Sequence, residues 1–186
     1  MIFLIDLDGT LIDSDHLHYE AWSKVLDMKP QHIEDIIKTV GMEKYLENSD
    51  FEKLKQNKYE EILNTRNIEM IKNADNFIDF IKEYDINHAV VTHTDRVIVD
   101  HFKMQVPELN ALDNWIVRED YVKPKPDPEC YRLALDMYAP NEKNIIGFEN
   151  SKHGRQALRH VTKNTFRISK KTDYSRVMKI LKNRIV

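Results

Sequence analysis

The chain opens on Ile2-Phe3-Leu4-Ile5 and runs at once into Asp6-Leu7-Asp8-Gly9-Thr10. The apolar run is too short for a helix and rich in β-formers. It has no polar position on either face, which is the pattern of a strand buried inside a parallel sheet. Asp6 and Asp8 then stand at the carboxyl end of that strand, where open α/β sheets bind their ligands. A spacing of two residues lets both carboxylates reach one point if the chain bends after the strand, and Gly9 permits the bend. Like charges held that close repel, so one carboxyl stays protonated or a cation lies between them. An all-oxygen site of this kind suits Mg²⁺.

The 186 residues suffice for one compact domain with a small insert. At 41% hydrophobic, the chain can build a substantial core. The net charge of −3 is expected to be interspersed, with no basic face, so nucleic acid is not a favoured partner. Cys130, the single cysteine, excludes an internal disulfide and fits a reducing compartment. The N-terminal apolar run is too short for a signal peptide or a membrane span. These features make a soluble cytoplasmic protein with no membrane partner the expectation, and they leave the oligomeric state unread.

After Ser14 the apolar spacing turns helical, with Leu17, Ala21 and Val25 on one face. Pro30 starts a second helix, for which Gly41 is the stop, and Asp50 caps a third. Residues 15–72 thus read as a helical insert. Residues 1–14 and 73–186 read as the α/β core. Within the core Asp75 is the expected cap of a helix, and Ala89–Thr92 is a second buried strand ending in His93-Thr94-Asp95. Trp115–Val117 is a short third strand, leading into Val122-Lys123-Pro124-Lys125-Pro126-Asp127-Pro128, a loop stiffened by its prolines. Ile145–Glu149 is a fourth buried strand, followed by Asn150-Ser151 and Gly154. A fifth strand, Thr165–Ser169, and a closing helix complete an alternation that argues for a doubly wound sheet.

Four of these strand ends carry a family resemblance. The string DLDGTLIDS resembles the first motif of the haloacid dehalogenase superfamily. VVTHT resembles its second, K-P-x-P-D its third, and Glu149-Asn150-Ser151 with Gly154 the fourth, E-D-S-x-x-G, of the capped branch. Asp13-Ser14 through Ala21-Trp22 is similar to the segment that opens the helical cap in the β-phosphoglucomutase-like branch. The fold implied is a five-stranded parallel, Rossmann-like sheet of order 5-4-1-2-3, with a small α-helical cap inserted after strand one.

By the same resemblance Asp6 is the nucleophile, Asp8 the general acid/base, and Thr10 orients Asp8. Thr92 binds phosphate, and Lys123 neutralises the nucleophile and phosphoryl oxygens, with Lys125 solvated. Gly9, Thr10, His18 and His93 are the expected substrate-side contacts. Mg²⁺ is expected on Asp6, Asp8, Glu149 and Asn150. Asn150 departs from the usual Asp; it brings an oxygen without a charge. The implied activity is a Mg²⁺-dependent phosphatase acting on a small phosphorylated metabolite through a phospho-aspartate. The alternatives are a sugar phosphomutase and a relative that binds a phosphorylated ligand or a protein without turnover. A mutase also needs a cation in the cap for its second phosphate. Thr39–Lys44 is the matching stretch, and only Lys44 offers one.

Overall fold

The structure is a computed structural model that describes residues 1–39 and 50–185. The chain divides into two compact units, Met1–Asp13 with Ile68–Val186, and Ser14–Asn67.

The first unit is built on β1 (Ile2–Ile5), β2 (Asn87–Val91), β3 (Trp115–Ile116), β4 (Ile145–Glu149) and β5 (Thr165–Arg167). All neighbours pair parallel in the order β3-β2-β1-β4-β5, which is the expected order read from the other edge. β1 lies in the middle, and all four of its residues are buried. Its register sets Ile5 beside Val90 of β2 and Phe148 of β4. The three strands therefore end almost level, and Asp6, Thr92 and Glu149 come out at one edge.

The two-residue side-chain period of β1 divides the core. Phe3 packs with Phe148 at a ring separation of 5.1 Å, and Phe77 of α4 (Ala74–Glu83) stacks on Tyr174 of α8 (Tyr174–Ile185) at 4.6 Å. Ile2 and Leu4 belong to the opposite cluster, with Cys130, Tyr131 and Ala134 of α6 (Glu129–Tyr138) and Ala157 and Leu158 of α7 (Lys152–Arg159). α5 (Arg96–Gln105) follows β2 and buries Ile98, Val99 and Phe102. α4 starts one residue before the expected cap: Asn73, in the left-handed region at φ 59°, precedes it, and Asp75 lies in its first turn.

Lys152 to Lys171 holds seven lysines and arginines and no carboxylate, so charge is not interspersed here as expected. The stretch includes edge strand β5, where exposed cations disfavour pairing with a foreign strand.

The second unit contains α1 (Asp15–Leu26), α2 (Pro30–Thr39) and α3 (Asp50–Leu63). Trp22 and Ile33 are buried together, with Tyr19, Val25, Leu26, Ile36 and Ile37 packed around them. This unit ends at Asn67 rather than at residue 72. Ile68 and Ile71 are buried, the Asp13 amide donates to Glu69 O at 2.8 Å, and the Ile71 amide donates to Leu11 O at 2.9 Å. Those bonds return the chain to the sheet unit five residues earlier than helical periodicity suggested. Gly41 and Lys44 lie outside the described residues.

Candidate active site

The site is built at the carboxyl edge of the sheet. The Asp6 amide donates to Phe148 O at 3.0 Å, so β1 still holds its last carboxylate in the ladder. The chain then turns. Gly9 takes φ 69°, where a side chain would be strained, and its amide donates to Ile12 O at 2.8 Å. Leu7 and Leu11 are fully buried and anchor the turn. The Tyr174 hydroxyl, reaching in from α8, donates to Thr10 O at 3.0 Å.

Thr10 serves a different carboxylate from the one expected. Its hydroxyl donates to Asp6 Oδ2 at 2.9 Å, because the turn folds it back over the strand end. Asp8 Oδ2 is met instead by Thr92 Oγ1 at 3.2 Å and Thr94 Oγ1 at 2.6 Å. The Thr94 amide donates to Thr92 Oγ1 at 3.0 Å, locking the pair. Thr94 was missed in the sequence, although T-H-T after a strand puts two hydroxyls on one side by the period of two.

The lysine is also a different one. Lys123 is exposed, its amide tied to Glu129 Oε2 at 3.1 Å. Lys125, expected in solvent, is buried at 5% exposure, and its Nζ donates to Asp6 Oδ1 at 2.7 Å, Glu149 Oε2 at 3.0 Å and Val91 O at 3.0 Å. All three ammonium hydrogens are thereby used. The loop contains two overlapping K-P-x-P frames, at Lys123 and at Lys125. The Glu129 carboxylate holds the first at the surface and leaves the second to turn inward.

Glu149, expected on Mg²⁺, has its carboxylate engaged by other partners. It is fully buried, and its Oε2 accepts from Lys125 and from the Tyr131 hydroxyl at 2.9 Å. Its Oε1 accepts from the amide and hydroxyl of Ser151, both at 2.9 Å. Four donors occupy the four lone-pair positions of a carboxylate. Gly154 makes this fit possible: a Cβ there would fall 1.6 Å from Glu149 Oε2.

Asn150 follows β4, its backbone oxygen accepting from the Arg155 guanidinium. Among the described residues no group of three or more His, Cys, Asp or Glu is arranged to hold a metal. Asp6, Asp8 and Asn150 stand at the ends of β1 and β4 and carry oxygen donors of the kind that suits a hard cation.

Charge in the site is unbalanced. Burial pushes the Asp6 carboxyl up to about 8, the Glu149 carboxylate adds to the rise, and Lys125 opposes it. Burial alone would lower Lys125, but Asp6 and Glu149 hold it well above the usual lysine range. One ammonium thus serves two carboxyl groups, Asp6 and Glu149, while the nearby Asp8 charge adds to the rise at Asp6, and a cation would relieve the remainder.

His93 is exposed as a residue, yet its Nε2 accepts the Lys125 amide at 2.8 Å and its ring stacks on Tyr121. Desolvation of that inner edge, then the charges of Lys125 and Arg118, push the ring down to about 3. His18 belongs to the helical unit, where it stacks on Tyr59 at 4.1 Å.

The family profile described as haloacid dehalogenase-like hydrolase matches residues 2–167. A phosphorylated carbohydrates phosphatase of Thermotoga maritima is 27% identical over 174 residues, covering 84% of this chain and 79% of that protein. Protein CbbY of Rhodobacter capsulatus is 22% identical over 180 residues, with the same coverage. A crystal structure of β-phosphoglucomutase from Clostridium difficile superposes with a TM-score of 0.76 at 16% identity, covering 100% of this chain and 99% of the other, which speaks for the fold.

Proposed function

The chain belongs to the haloacid dehalogenase-like hydrolase family, as a phosphoric monoester hydrolase, and from that premise we propose that it dephosphorylates a small phosphorylated carbohydrate through a phospho-aspartate. The observation that carries this reading is the buried contact between Lys125 Nζ and Asp6 Oδ1 at 2.7 Å, beside a second carboxylate held by two threonine hydroxyls. The carbohydrate class is supported by the similarity to the Thermotoga maritima phosphatase.

In this reading Asp6 attacks phosphorus in line, and the bond to the leaving oxygen breaks. Asp8 gives that oxygen its proton, held for the task by Thr92 and Thr94. Asp8 then takes a proton from water, and the water oxygen attacks the phosphorus of the aspartyl phosphate, freeing phosphate and restoring Asp6. The covalent step divides one hard substitution into two. Lys125 offsets negative charge on Asp6 and on the transferred group, and such fixed charge supplies most of the acceleration in phosphoryl transfer. The Asp6 carboxylate, the Asp8 backbone carbonyl and the Asn150 carboxamide would hold Mg²⁺. Bound there, the cation supplies charge neutralisation for the phosphoryl oxygens.

Hydrolysis of para-nitrophenyl phosphate, with Mg²⁺ and after chelation, tests the proposal on the wild type, Asp6→Asn and Asn150→Asp. Turnover that needs Mg²⁺ and vanishes in Asp6→Asn is the expected result. Asn150→Asp is expected to lower the Mg²⁺ concentration required. Turnover undiminished in Asp6→Asn would remove the nucleophile from the scheme. A wild type without turnover, gaining it on Asn150→Asp, would favour binding without catalysis.

A further inference from the structure

The backbone donors of the proline-rich loop can be followed one by one. Pro124, Pro126 and Pro128 supply no N–H. Val122 and Lys123 donate to the two oxygens of Glu129, at 2.8 and 3.1 Å, and Asp127 donates to Pro124 O at 3.0 Å. Those three bonds stay within the loop and the helix it starts. The amide of Lys125 reaches out of it, donating at 2.8 Å to Nε2 of His93, 32 residues earlier in the chain.

His93 is itself firmly placed. It stands between Thr92 and Thr94, whose hydroxyls hold Asp8. Its ring lies over Tyr121 with centroids 5.8 Å apart and planes at 28°. The Tyr121 hydroxyl returns to the same strand end, donating to Thr92 O at 3.0 Å, and the Arg118 guanidinium covers the Tyr121 ring at 5.2 Å.

We propose that His93 is a positioning residue: its unprotonated Nε2 fixes the backbone of Lys125 and so sets the lysine's distance to Asp6 relative to the threonines that hold Asp8. The inference rests on the reading of Lys125 as the charge-neutralising group of a hydrolase site. A lysine side chain is long and has many rotamers, so its ammonium is only as well placed as the backbone beneath it. Phosphoryl transfer depends on alignment, and a displacement of about 1 Å at a catalytic group costs about a hundredfold in rate. With Nε2 accepting, the ring proton sits on Nδ1. The requirement at position 93 is therefore an acceptor of the right reach, not a charge.

The test compares His93→Leu, which keeps bulk and removes the acceptor, with His93→Gln, whose side-chain oxygen has similar reach. Steady-state hydrolysis of para-nitrophenyl phosphate with Mg²⁺ is read alongside hydrogen exchange at the Lys125 amide. His93→Leu is expected to lower kcat about tenfold with KM changed less than about twofold, and to lose protection at that amide. His93→Gln is expected to recover both to within about threefold. Lys125→Met tests the underlying reading separately. If Lys125→Met keeps wild-type turnover, the hydrolase role of the lysine fails, while the exchange result still decides the tether. If Lys125→Met is inactive and His93→Leu keeps full kcat and a protected amide, the positioning role is overturned. Should His93→Leu fail to fold, His93→Gln decides: an unprotected amide and a tenfold loss there would refute acceptance as the requirement.

Discussion

Lys125 Nζ lies 3.0 Å from Glu149 Oε2 while also donating to Asp6, so one buried ammonium bridges two buried carboxylates. Such a cluster is a weak source of stability, because desolvation of the charges offsets their attraction. Breaking it from one side is costly, since the remaining charges stay buried. Lys125→Met is therefore expected to destabilise the fold by about 3–5 kcal/mol and to reduce kcat/KM by about 10²–10³. Lys123→Met, at an exposed position, is expected to change stability by less than about 0.5 kcal/mol. Thermal melting and aryl phosphate kinetics on the two variants decide it, and the reverse order of effects would return the role to Lys123.

Gly154→Ala introduces a methyl group into space that the Glu149 carboxylate occupies. Either α7 moves outward or the carboxylate leaves its four donors. The expected outcome is a loss of at least about 1–3 kcal/mol together with a fall in activity, because Glu149 anchors Lys125. A melting temperature equal to wild type would show that the helix start can shift freely.

Tyr131→Phe removes one of the four donors to Glu149 and leaves the Lys125 contacts in place. A buried acceptor that loses one partner costs about 1–3 kcal/mol. Denaturant unfolding should register that loss, while kcat stays within about threefold. A kcat collapse comparable to that of Lys125→Met would mean that the phenol acts in the chemistry itself.

Asp173 tests linkage away from the site. Hydrogen bonds from Ser175, Asn73 and Lys72 hold its carboxyl below the usual 3.8. A carboxyl depressed in the folded state contributes stability above its unfolded value, and that contribution disappears as pH falls through the folded value. Asp173→Asn is expected to melt below wild type at pH 7. The gap should close progressively below about pH 3.8. A gap independent of pH would assign the effect to packing.

Much of the sheet was legible in the chain. The apolar runs at residues 2–5 and 145–148 are strands because neither has a polar face, and both lie inside the sheet. The placement of Asp6 and Glu149 at strand ends follows from where those runs stop. The partners of these carboxylates were less legible. Thr10 was assigned to Asp8 and found on Asp6, because a turn with Gly9 at positive φ reverses which neighbour lies overhead. Glu149 was assigned to a metal and found saturated by four donors, two of them from residues 24 and 18 positions away.

The order of apolar runs and helical spacings in the sequence was enough to determine a five-stranded parallel α/β fold and the strand ends at which its carboxylates stand, because both are consequences of local periodicity and burial. The sequence pointed to Lys123, where the K-P-x-P-D frame begins, and left Lys125 in solvent, although Lys125 begins a K-P-x-P frame of its own. The tertiary structure made the choice: Asp6 and Lys125 are 119 residues apart in the chain, and the lysine that meets the carboxylate is the one whose backbone His93 holds inward.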